Sequence, residues 1–138
     1  MDNNSTLTIV MADDDADDHF FFQEALNQTG ARYNFFSVFN GVELLDLLLH
    51  RGKFANDAAV TPDCIILDMN MPVLDGLKAL GHIKNHENLR KIPVYVFSTT
   101  RSPEDIKKVN DLGAAKFYTK PPHYEKLKEV IEEILRDL

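Results

Sequence analysis

Apolar positions along the chain follow two rhythms. Short unbroken runs at 7–12, 65–67 and 93–97 are too brief for helices and predict buried strands. Residues 33–39 are aromatic and β-branched and predict another strand, and residues 115–118 a fifth. Between these runs, apolar residues recur at helical spacing. Residues 17–28 predict a helix with Phe21, Phe22, Ala25, Leu26 and Thr29 facing inward and Gly30 as its stop. Residues 42–50 predict a short, very apolar helix that belongs to the core. Residues 74–86 carry Leu74, Leu77, Leu80 and Ile83 on one stripe. Ser102, Pro103, Glu104 and Asp105 form a helix start, with a cap, a proline in the first turn and two acids. Ile106, Val109 and Leu112 form its inner stripe and Gly113 ends it. Residues 124–138 predict the last helix, with Leu127, Val130, Ile131, Ile134 and Leu138 inward. The polar stretch 51–62 reads as a loop.

Five strands alternating with five helices predict an α/β fold with a parallel sheet covered on both faces. At 138 residues the chain suits one domain, here 6–138 behind a flexible stretch at 1–5. The net charge is −7, and it is unevenly placed: residues 1–30 hold seven acids and no Lys or Arg, while the rest carries fifteen of each sign. No basic face suits nucleic-acid phosphates. No apolar run is long enough for a membrane span, and the N-terminus lacks a signal peptide's regions. A cytoplasmic protein is expected. The single cysteine, Cys64, opens a strand and reads as an inert small hydrophobe.

In parallel sheets the ligand site lies at the carboxyl ends of the strands. Strand one ends at Asp13 and Asp14, strand three at Asp68, strand four at Ser98 and strand five at Lys120. Three carboxylates at one edge repel one another unless something neutralises them. Mg²⁺ does so with one or two carboxylates, waters and a phosphate oxygen. A carboxylate is also a nucleophile toward phosphorus, and the ammonium and hydroxyl suit the oxygens of a phosphoryl group. The edge is composed for phosphoryl transfer onto an aspartate.

Four stretches, IVMADDDADD (9–18), PDCIILDMNMPVLDG (62–76), IPVYVFSTT (92–100) and GAAKFYTKPP (113–122), resemble the receiver domain of bacterial two-component response regulators. The likeness spans about residues 6–137 and extends to stand-alone receivers that work beside sensor kinases, including phytochrome-type ones. It implies a flavodoxin-like sheet of order 2-1-3-4-5 and a phosphorylation switch without an attached output domain. The phosphoryl group would come from a sensor histidine kinase or a histidine phosphotransfer protein. Asp68 is then the phosphoacceptor, Asp14 a direct Mg²⁺ ligand, Asp13 a ligand through water, and Asn70 a ligand through its carbonyl. Ser98 and Lys120 hold the phosphoryl group, with a cis peptide from Lys120 to Pro121. Phe117 takes the aromatic switch position. Asp15 is a departure of little consequence. Asn70 and Thr100, two positions past Asp68 and Ser98, would flank the attacking water during hydrolysis.

Two other functions fit parts of the pattern. Asp13–Asp17 resembles the DxD start of haloacid dehalogenase-type phosphohydrolases, but Asp17 stands where Thr or Val belongs. A binding module that works without phosphorylation would not need the full acid–Ser–Lys set. Asp17 and Asp18 read as cap and first-turn acids, and His82 and His86 as solvated histidines rather than a zinc pair. Phe20 projects away from the core beside the acids and is the candidate anchor for a docking kinase.

Overall fold

The computed structural model describes residues 6–99 and 102–138. Five parallel strands run β1 (Leu7–Ala12), β2 (Tyr33–Val38), β3 (Cys64–Asp68), β4 (Val94–Ser98) and β5 (Lys116–Thr119), in the order β2-β1-β3-β4-β5. Between and after them come α1 (Ala16–Thr29), α2 (Gly41–Leu48), α3 (Gly76–Asn85), α4 (Pro103–Asp111) and α5 (Tyr124–Asp137). The expected fold and strand order are both present. Within the stretch expected as a loop, residues Gly52–Phe54 form one 3-10 turn.

Strand alternation sends side chains to two different cores. Val10, Ala12, Ile65, Leu67, Val94 and Val96 meet Leu44, Leu48, Leu80 and Ile83, an aliphatic layer under α2 and α3. Ile9, Met11, Ile66, Tyr95 and Phe97 meet Phe22, Leu26, Val130 and Ile131 under α1 and α5. Because β1, β3 and β4 are covered on both sides, their sequences show no alternation. Cys64 is buried, which pushes its thiol up to about 12 and leaves it unreactive.

The inward face of α1 differs from expectation. Phe21 is 50% exposed, and His19 is buried in its place. The face is turned by about 40° from the expected one, at 100° per residue. His19 Nε2 donates to the Asp13 carbonyl at 2.8 Å, and its ring packs on Phe39 at 4.7 Å between centroids. These contacts hold Nε2 and the ring of a polar side chain that composition alone assigns to solvent, while its Nδ1 is buried without a hydrogen-bond partner among the described residues. α1 ends at Gly30, whose φ of 76° suits glycine.

Candidate functional site

β1 and β3 stop at the same edge, and each hands the chain from an apolar strand to an acid. Asp13 and Asp68 are both 2% exposed, and Ser98, the last residue of β4, is fully buried. Asp14 is exposed above them. One carboxylate oxygen from each of Asp13, Asp14 and Asp68 can be chosen so that all lie within 4.8 Å of one another. Lys120, just past β5, reaches over this group. Its Nζ lies 2.9 Å from Asp18 Oδ2 and 3.4 Å from an oxygen of each of Asp13 and Asp68. Its backbone N–H donates to the Ser98 carbonyl at 2.8 Å, which anchors the lysine to β4.

Local hydrogen bonds fix the acids. The Asp15 N–H donates to Asp13 Oδ1 at 2.9 Å, and the Asn70 N–H donates to Asp68 Oδ1 at 3.1 Å. Gly76, the first residue of α3, lies against the end of β3. A Cβ there would stand 2.2 Å from the Asp68 carbonyl oxygen and 2.6 Å from Met69 Cα, so only glycine fits. In the preceding loop Val73 adopts φ 68° and the Leu74 N–H donates to the Pro72 carbonyl at 2.8 Å. A β-branched residue in that region is strained, and such strain concentrates at functional loops.

The electrostatics follow from crowding. Burial, aided by the hydrogen bond with Asp18 and the charge of Asp68, pushes Asp13 up to about 7. Burial also raises Asp68, against the opposing pull of the Asn70 N–H and Lys120. Asp18 is held below the ordinary range: burial opposes this, but its bonds to Asp13 and Lys120 outweigh it. Burial would lower Lys120, yet the bond to Asp18 and the charges of Asp13 and Asp68 hold it well above the ordinary lysine range. The lysine is a fixed cation among more carboxylates than it can balance. Hard oxygen donors, negative and only partly compensated, fit a divalent cation of the Mg²⁺ type.

Several expectations need correction. Asp15 is the N-cap of α1, its side chain accepting from the Asp17 N–H, so it is no neutral departure. Asp18 is a first-turn acid as expected, and it is also Lys120's shortest partner. The Lys120–Pro121 peptide is trans, as are all peptides among the described residues. Trans is the lower-energy form of most X–Pro bonds, and Lys120 reaches the acids from it. Thr100 lies outside the described residues, whereas Asn70 Nδ2 lies 3.5 Å from Thr99 Oγ1. Phe117 packs partly buried on the aliphatic core. His82 is exposed, and His86 Nδ1 accepts from the Asn88 N–H at 3.1 Å. Among the described residues neither joins a metal-type cluster.

A doubly wound parallel domain with buried acids, a hydroxyl and a clamped lysine at its carboxyl edge is built to hold a cation and an anionic group side by side. The comparisons with known proteins agree. The chain belongs to the response regulator receiver domain family, whose model matches residues 9–132. The members of this family are signalling phosphoacceptors and bind a divalent metal. Response regulator Rcp1 of Synechocystis is 26% identical over 133 residues, covering 96% of this chain and 89% of that protein. The structure of the phosphorylated cyanobacterial phytochrome response regulator RcpA superimposes with a TM-score of 0.86 at 32% identity, over 94% of this chain and 91% of that one. That of RPA3017, from red light signalling in R. palustris, gives 0.87 at 26%, over 96% and 93%. A structure of Rcp1 is a Mn²⁺-bound form. Family membership sets aside the phosphohydrolase alternative. No helix among the described residues is long and apolar enough to cross a membrane.

Proposed function

We propose that this protein is a phosphorylation switch in which Asp68 takes a phosphoryl group from a phosphohistidine, with Mg²⁺ held by Asp13, Asp14, Asp68 and the carbonyl of Asn70. The observation that carries this reading is Lys120 Nζ at 3.4 Å from both Asp13 and Asp68, at the edge where three carboxylates converge. The bound cation supplies positive charge beside the acids and the incoming oxygens. An Asp68 carboxylate oxygen attacks phosphorus, the P–N bond breaks, and the imidazole leaves with the electron pair. Lys120, which already carries its proton, pairs with a phosphoryl oxygen in the acyl phosphate. Ser98 offers its hydroxyl to another, and Phe117, on β5 two residues before Thr119, repacks as the signal. The chain thus assists its own phosphorylation, and water ends the signal by hydrolysing the acyl phosphate.

The donor is a sensor histidine kinase or histidine phosphotransfer protein, and the resemblance to RcpA, a phytochrome response regulator, favours a light-sensing kinase. Phe20 is the docking anchor. It is 57% exposed, stacks edge-on against Phe21 at 5.5 Å, and stands beside the acids that begin α1. The test is intact-mass measurement after adding a small phosphodonor and Mg²⁺. The expected result is a gain of one phosphoryl group, mapped to Asp68 and missing in Asp68→Asn. Equal uptake by the variant refutes the acceptor assignment.

A further inference from the structure

The sheet has one edge whose chemistry the phosphoryl site does not use. Among the described residues β2 pairs only with β1. The Leu7 N–H donates to the Arg32 carbonyl at 3.0 Å and the Asp13 N–H to the Val38 carbonyl at 3.1 Å. Even-numbered residues of β2 therefore turn their backbone groups toward β1. By strand alternation Tyr33, Phe35 and Ser37 turn theirs outward. The outward row ends at Phe39, whose N–H donates to Glu43 Oε1 at 2.8 Å.

Open edges are ordinarily guarded by charge, proline or a bulge. Residues 33–39, Tyr-Asn-Phe-Phe-Ser-Val-Phe, contain no charged residue, no proline and no glycine. Phe36 is 37% exposed on the α2 side of this edge. It lines a groove of about 400 Å³ together with Asn34, Leu47, Phe54 and Val60.

We propose that β2 is a self-association edge, along which a second copy of this chain pairs antiparallel and seats each Phe36 at the groove of the other. A two-fold axis at Phe35 opposes Phe35 to its equivalent and Tyr33 to Ser37. Each such pair exchanges both of its N–H···O bonds. The same register sets Phe36 opposite Asn34 at the groove mouth, so the exposed ring and the open groove meet. One surface meets itself, the requirement of a two-fold contact. Charge selects this occupant as well. The seven acids of residues 1–30 include those at the carboxyl edge, and antiparallel pairing carries the two carboxyl edges to opposite ends of the joined sheet. The contacting strands carry no charge to repel.

Sedimentation of the full chain over a hundredfold dilution series tests this, paired with amide hydrogen exchange at both ends of the series. The wild type should pass from monomer to twice its 15.7 kDa mass. Amides of Tyr33, Phe35 and Ser37 should gain protection with concentration, while those of Asn34 and Phe36, already facing β1, should not change. Ser37→Pro, which removes one outward donor from an edge strand, and Phe36→Lys should each weaken association by about tenfold or more. Both should take up phosphate as the wild type does. A wild type that stays monomeric overturns the proposal, and so does a dimer that leaves these three amides unprotected.

Discussion

Two stretches of the same strand obey opposite rules. In β3, Cys64 to Leu67 are buried among apolar neighbours on both faces, and every contact there favours the folded state. One residue later Asp68 is equally buried, yet it faces two other carboxylates and a lysine, and burial raises its affinity for a proton. β1 repeats the change between Ala12 and Asp13. The strand interiors stabilise the fold, whereas the carboxyl edge costs stability that the interior must offset. That is the usual relation between a scaffold and its site. Substitutions in the two regions should therefore act in opposite directions.

The largest expected effect lies in the interior. Leu80 is fully buried in the aliphatic layer, and Leu80→Ala should lower unfolding free energy by about 2–5 kcal/mol in denaturant titration. The folded fraction should still accept phosphate. Loss of acceptance by folded variant would show that interior and edge are not separable.

Next comes pH. Asp13 titrates near 7 in the folded chain against an ordinary 3.8, so between those values the folded state holds a proton that the unfolded chain has released. Stability contributed at low pH is then lost as pH rises toward 7, by on the order of 2–4 kcal/mol without metal. Asp13→Asn should remove that slope, and saturating Mg²⁺, which binds the ionised form, should flatten it in the wild type. A wild-type profile parallel to that of Asp13→Asn would contradict the crowding described at Asp13.

A smaller effect belongs to the rim of the edge. Phe20→Ala should slow phosphotransfer from the cognate kinase by an amount corresponding to about 2 kcal/mol, while uptake from a small phosphodonor stays unchanged. Equal slowing of both reactions would remove Phe20 from the docking surface. The smallest change is expected for metal binding in Lys120→Ala. In the proposed switch the ammonium meets the phosphoryl group rather than the cation, so Mg²⁺ affinity should shift by less than about tenfold, or 1.4 kcal/mol, while phosphorylation no longer alters the surface.

The division between the regions also governs what the sequence could reveal. Unbroken apolar runs ending in acids located β1 and β3, and with them Asp13, Asp14 and Asp68. A strand buried on both faces has little choice of residue, so its end is conspicuous. The partnership of Lys120 with Asp18 spans 102 residues, and no local pattern carries it. α1 holds three successive phenylalanines at 20–22, which give no helical phase, so the burial of His19 depends on the Asp13 carbonyl and Phe39, which only the folded chain brings together. Val73 gave no signal at all, because valine is among the residues least suited to its backbone angle.

The most direct test compares thermal unfolding of the wild type and Asp68→Asn, each with and without Mg²⁺, alongside phosphate uptake. Removing one buried charge from a crowded edge should make the metal-free variant at least as stable as the wild type at pH 8, shrink its gain from Mg²⁺, and abolish uptake. A variant less stable than the metal-free wild type, or one that still takes up phosphate, would contradict the view that Asp68 is held at a cost to folding in order to accept a phosphoryl group.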